Sequence, residues 1–235
     1  MIVLGLDCAG AACSAAIVDG DTIRARYQEE MQRGQAERIV PMVADCLRDA
    51  GLDAAALDGI AVTVGPGAFT GVRIGIAAAQ GLSRAAGVPL IGVTVTESLA
   101  AAIPADTDRP LAVAIDSRRA DPFLEVFQAR DGVWVGDRAR AVAATADALD
   151  AEIPDNAMLV GDYAIRLRDL IGRGTVLSAS PYPDPAAVAR LGRDRLNDGT
   201  GKPAVPLYLR APDVSAPSRD KARRPASRQM DAPST

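Results

Sequence analysis

Residues 2–29 read IVLGLDCAGAACSAAIVDGDTIRARYQE, and the fold is built outward from this stretch. An apolar run from Ile2 to Leu6 ends in Asp7, small residues follow at Ala9–Ala12, and a second apolar run closes on a polar turn at Asp19, Gly20 and Asp21. With a third run at 22–29, the pattern predicts three antiparallel strands joined by tight turns. From Gly34 to Ala50, apolar or small residues recur every three or four positions opposite Glu37, Arg38, Asp45 and Arg48, which predicts an amphipathic helix. Pro41 removes a main-chain donor there, so a kink or a later helix start is expected. A buried strand at 59–64, a glycine-rich turn, a helix closed by Gly87, a strand at 88–93 and a helix at 96–103 complete a mixed sheet, antiparallel first and then parallel.

The polar, proline-flanked segment PADTDRP, residues 104–110, marks a boundary. Beyond it LAVAID (111–116) again runs an apolar strand into an aspartate, and FLEVFQ (123–128) follows a charged turn, so the opening hairpin is echoed. Helices are expected at 146–151, 164–171 and 184–196, with a strand at 157–161. The expected organisation is two related subdomains, 1–108 and 109–210, and a disordered tail, 211–235, too poor in large apolar residues to offset its ordering entropy.

Composition narrows the chemistry. The 235 residues, 49% hydrophobic and 24% charged, suit a globular protein with a full core. The chain has no histidine, which removes Ser/His/Asp triads, Cys/His dyads and histidine-held metals. Cys8, Cys13 and Cys46 show no C-x-x-C spacing and read as small core residues of a protein in a reducing, cytoplasmic setting. No basic leader and no long apolar run suggests export or a membrane span. A net charge of −4 argues against a broad nucleic-acid footprint on this chain alone, so any RNA contact is expected to need a partner. Lys202 and Lys221 are the only lysines, which leaves no early phosphate-binding lysine.

The sharpest local feature is GPGAFTGVRIG, Gly65–Gly75, between a strand and a helix. A dinucleotide fingerprint needs a glycine where Thr70 stands, and Pro66 deletes an amide that would face a pyrophosphate. A P-loop needs Gly-Lys followed by Ser or Thr, and Gly201-Lys202 is followed by Pro203. The structural alternative is a tight turn at Gly65, Pro66 and Gly67, with Phe69 and Arg73 flanking a helix capped by Thr70. Gly71 and Gly75 lie four apart on that helix, continued by Ala79 and Leu82. Glycine inside a helix costs about 1 kcal/mol relative to alanine, so something approaches closely there: either this chain's own sheet or a partner helix. A partner surface at Ile39, Val43, Gly71, Val72, Gly75, Ile76, Ala79 and Leu82 is the expectation, with no catalytic and no metal-ligating residue on the chain.

GPGAFTGVRIG, together with LGLDCAG, ERIVPMV (37–43), AIDSRRAD (114–121) and PLYLR (206–210), resembles the TsaB family, formerly called YeaZ. The resemblance implies an actin-like ATPase-domain (ASKHA) fold with two related halves, and a proline inside the first helix. It also implies a non-catalytic dimerisation subunit that pairs with TsaD, is joined by TsaE, and self-associates when alone. In that complex TsaD transfers a threonylcarbamoyl group to N6 of the adenosine next to the anticodon of tRNAs reading ANN codons. The family's catalytic relative holds its metal through H-x-x-x-H on the first helix, where this chain has Gln35–Ile39. No cofactor on this chain is implied, and a nucleotide only in the complex. The alternative from another class is an actin-fold kinase of a small metabolite, with Asp7 or Asp116 positioning a metal-bound nucleotide.

Overall fold

The structure of the protein, a computed structural model, describes residues 1–210. Strands β1 (Ile2–Asp7), β2 (Ala12–Asp19) and β3 (Thr22–Glu30) form the antiparallel meander. Helix α1 (Gln35–Ala50) leads to β4 (Gly59–Thr63), and α2 (Phe69–Ala86) leads to β5 (Leu90–Val93). Both crossovers return parallel to β1 on its other side, giving the order β3-β2-β1-β4-β5. β1 is buried on both faces. Leu4 and Leu6 pack beneath α1 and α2, while Val3 points to the opposite layer, as the two-residue period of a strand requires. α1 runs uninterrupted through Pro41, which lies on its exposed side. Cys8, Cys13 and Cys46 are buried free thiols.

After α3 (Val95–Ala101) the plan repeats. β6 (Leu111–Ile115), β7 (Phe123–Arg130) and β8 (Val133–Gly136) form a second meander, and the two-residue β9 (Arg140–Ala141) pairs with β7. α4 (Ala146–Asp150), β10 (Met158–Val160), α5 (Ala164–Ile171) and β11 (Thr175–Val176) follow. The order β11-β10-β6-β7-β8 matches the first sheet strand for strand, and α6 (Pro185–Asn197) then closes the set. Strands β8, β9 and β11 went unpredicted because they are short or half-exposed and lack a long apolar run.

The two halves exchange their last helices. α3 packs on β6 and β8 of the second sheet, whereas α6 lies on β1, β2 and β4 of the first. Val188, Ala186 and Ala189 of α6 form one core with Val3, Ala16, Val18 and Ala61. The segment 104–110 therefore separates the sheets in sequence, but the helical layers cross that point. The tail expected to be disordered, 211–235, lies outside the described residues.

Candidate functional site

Two surfaces converge on the turn that follows β1. The first is the cleft between the halves, a cavity of about 550 Å³ bordered by Gly10, Arg33, Glu37, Gly67, Asp116 and Arg118. Its geometry carries the internal duplication down to single hydrogen bonds. The Asp7 Oδ1 accepts from the Ala9 amide at 3.1 Å, and the Asp116 Oδ1 accepts from the Arg118 amide at 2.7 Å. Each aspartate thus holds the turn after its strand by bonding the amide two residues on.

Their environments differ. Asp7 is fully buried, takes a second bond from the Thr63 hydroxyl at 2.5 Å, and leaves Oδ2 without a partner. Burial pushes its carboxyl up to about 6, against the opposing pull of the Thr63 and Ala9 bonds. Asp116 lines the cleft, and its amide donates to the Asp162 carboxylate at 2.7 Å. Asp162 is itself pushed above the ordinary carboxylate range by burial.

The second surface is the pair α1 and α2. Gly65, at φ 103, takes a backbone conformation that suits glycine, and its carbonyl accepts from the Val95 amide. The Ala68 amide donates to the Ala9 carbonyl at 2.7 Å, so the start of α2 rests directly on the turn after β1. A Cβ on Gly71 would overlap the Cys8 carbonyl, and one on Gly75 would meet the Cys8 side chain and Val62. The glycine face therefore serves this chain's own sheet.

This corrects the expected partner surface. Gly71, Val72, Gly75, Ile76 and Ala79 are buried beneath α2, Ile39 and Val43 are buried beneath α1, and Leu82 is half-buried. Their helical period marked a core stripe, and the sheet fills it. Thr70 is also corrected. Ala68 occupies the N-cap position, and Thr70 sits exposed in the first turn without a capping bond.

What the helices present outward is a different set: Ala36, Val40, Pro41 and Ala44 on α1, and Ala77 and Gly81 on α2. Val40 is 51% exposed. Gly81 stands in the helix interior with ordinary backbone angles, and a Cβ there would meet nothing within 4 Å. No contact among the described residues accounts for it. The signal in the sequence was the interval from Ala77 to Gly81, out of phase with the core stripe. At the start of the same helix the Arg73 guanidinium lies 3.3 Å from the centre of the Phe69 ring and 5.3 Å from that of Tyr208. The turn residues Phe69 and Arg73 thus form an exposed stack with the segment after α6, while Pro66 is buried and Gly67 half-buried beneath them.

Two sheets of matching strand order, related aspartate turns and exchanged helices define an actin-like (ASKHA) protein. Among solved structures, component A of the (R)-2-hydroxyglutaryl-CoA dehydratase of Acidaminococcus fermentans shares the fold at a TM-score of 0.50 and 11% identity, over 84% of this chain and 99% of that one. YeaZ from Pseudomonas aeruginosa is much nearer, with a TM-score of 0.77 and 28% identity over 88% of this chain and 99% of that one. The family model described as TsaD, tRNA N6-adenosine threonylcarbamoyltransferase, matches residues 26–158. The tRNA threonylcarbamoyladenosine biosynthesis protein TsaB of Escherichia coli is 37% identical over 60% of this chain and 62% of its own length. TsaB of Bacillus subtilis is 28% identical over 92% and 97%. The chain belongs to the TsaB (YeaZ) family.

An actin-like fold implies a nucleotide cleft, and the residues here fit a metal-bound triphosphate poorly. Asp7 is sealed from the cleft and is not among its bordering residues. The Ala9 carbonyl in the turn after β1 is taken by the Ala68 amide, and no lysine among the described residues borders the cavity.

Proposed function

We propose that this chain serves tRNA threonylcarbamoyladenosine biosynthesis as a non-catalytic partner that docks a TsaD-type transferase through the outer face of α1 and α2. Family membership supports the pathway, and the TsaD-like match over 26–158 supports a relation to the transferase. The observation that carries the docking face is Gly81. It costs its helix about 1 kcal/mol relative to alanine, offers a Cβ no neighbour among the described residues, and adjoins the exposed Ala77, with Val40, Pro41 and Ala44 exposed on α1. A bare helical flank of this kind lets a second backbone approach closely. TsaD occupies it in the complex, and a second copy of this chain occupies it when TsaD is absent. TsaE joins that pair, and tRNA is met through the partner. The transferase modifies the adenosine beside the anticodon of tRNAs reading ANN codons. The chain holds no cofactor by itself, and a nucleotide binds only in the assembled complex. The sealed Asp7 disfavours the alternative of a free-standing kinase.

The test is co-purification with TsaD and reconstituted tRNA modification, comparing wild type with Gly81→Arg and Ala77→Arg. Both side chains would project from an exposed face, so both variants should fold with unchanged melting temperature. Association should weaken by more than about tenfold, equivalent to about 1.4 kcal/mol. Undiminished assembly of both folded variants would remove this face as the docking site.

A further inference from the structure

A second pocket of about 280 Å³ opens between the start of α3, the β7–β8 hairpin and the segment 202–207. Glu125 forms its buried edge. This carboxyl lies in the middle of β7, paired with Val113 of β6, and is 7% exposed. Its Oε2 accepts a hydrogen bond from the Thr96 hydroxyl. No lysine or arginine among the described residues pairs with it, because Lys202 and Arg195 are both taken by Glu97, at 3.0 Å and 2.7 Å. Burial accordingly pushes Glu125 above the ordinary carboxylate range, the Thr96 bond opposing.

The rest of the wall is aromatic. Phe127 and Trp134 line the pocket, and the Trp134 ring is fixed by its N–H, which donates to the Ile103 carbonyl at 2.8 Å. Gly136 lets the hairpin pack closely on this wall, since a Cβ there would overlap both Glu125 Oε1 and the Phe127 ring. A carboxylate without an ion-pair partner beside aromatic rings in a cavity is the chemistry that binds organic cations. Glu97, Asp137, Arg138 and Lys202 are the charged groups around the rim. No group of three or more His, Cys, Asp or Glu side chains among the described residues is placed to hold a metal ion, which further favours an organic cation.

We propose that this pocket binds a small organic ammonium ion, with Glu125 as counter-ion and Trp134 and Phe127 as its aromatic wall. None of its lining residues lies on α1 or α2, so the site is independent of the docking face. Trp134 is the sole tryptophan, so its fluorescence reports the site directly. The full chain would be titrated with choline chloride and with butylammonium chloride, against sodium chloride at matched ionic strength. The expected result is a saturable change with the organic cations and none with sodium, weakened at least about tenfold in Glu125→Gln. A preference for choline identifies a quaternary ligand, and a preference for butylammonium a primary amine such as a lysine side chain. A linear response, an equal response to sodium, or unchanged binding by folded Glu125→Gln would overturn the proposal. Should that variant not fold, choline-induced amide shifts in the wild-type protein decide: shifts confined to residues 94–97 and 125–138 support the site, and scattered or absent shifts refute it.

Discussion

At Asp7 a carboxyl is held where no water and no cation reaches it, and the consequence is a pH-dependent stability. Its folded-state value of about 6 lies above the 3.8 of an unfolded chain, so the folded protein holds this proton more tightly. The stabilising contribution is complete below about pH 4 and declines as the pH rises through 6, by about 3 kcal/mol in all. Asp7→Asn removes the titration while keeping an acceptor for Thr63 and Ala9. Thermal melts from pH 4 to 8 should show the wild type losing this increment and the variant not. Parallel curves would mean that Asp7 ionises freely in the fold. Its counterpart Asp116 makes the same local turn but borders the cleft, so residue identity and local hydrogen bonding repeat while burial does not.

At the scale of the element, α2 carries glycines of opposite meaning. Gly71 is pressed against the Cys8 carbonyl, and Gly81 faces open space. Gly71→Ala should therefore destabilise the chain by about 2 kcal/mol or more, because backbone must shift to admit a methyl group. Gly81→Ala should stabilise the isolated chain by up to about 1 kcal/mol through helix propensity alone, and weaken association with the partner. Urea denaturation of the two variants reads the first pair of effects, and the same preparations read the second by titration against TsaD. The helical period of Ile39, Val43, Val72, Ile76 and Ala79 was legible in the sequence. Which neighbour filled the stripe was not, since an apolar or small position signals only that it is covered. A partner helix and the chain's own sheet leave the same pattern.

Across the whole molecule, the exchange of α3 and α6 ties the halves together, and one half-buried ion pair sits at that junction. Burial works to raise Glu97. The bond from Arg195 and its charge, the Thr94 amide and Lys202 together outweigh it, and the carboxyl is held at about 2. A depressed carboxylate stabilises above the unfolded value of 4.5, and that contribution is lost as the pH falls toward 2. Arg195→Met should cost about 2 kcal/mol at pH 7, the scale of a charge-assisted hydrogen bond, with the gap to wild type closing near pH 2. Equal stabilities at pH 7, measured by denaturant unfolding, would show that apolar packing alone joins the helices.

The sequence by itself determined the order of strands and helices through residue 103, the echo of IVLGLD by LAVAID, the absence of histidine chemistry and, through GPGAFTGVRIG, the family. Each is a local or periodic property, set by side-chain alternation, turn-forming glycines or composition. Only the tertiary structure decided that α6 crosses to cover the first sheet, that the glycine face of α2 rests on Cys8, that the outer face of the helices is the one left bare, and that Glu125 lacks a cation. These depend on which surfaces meet between segments far apart in the chain. A short amphipathic segment records how much of itself is buried, but not by what.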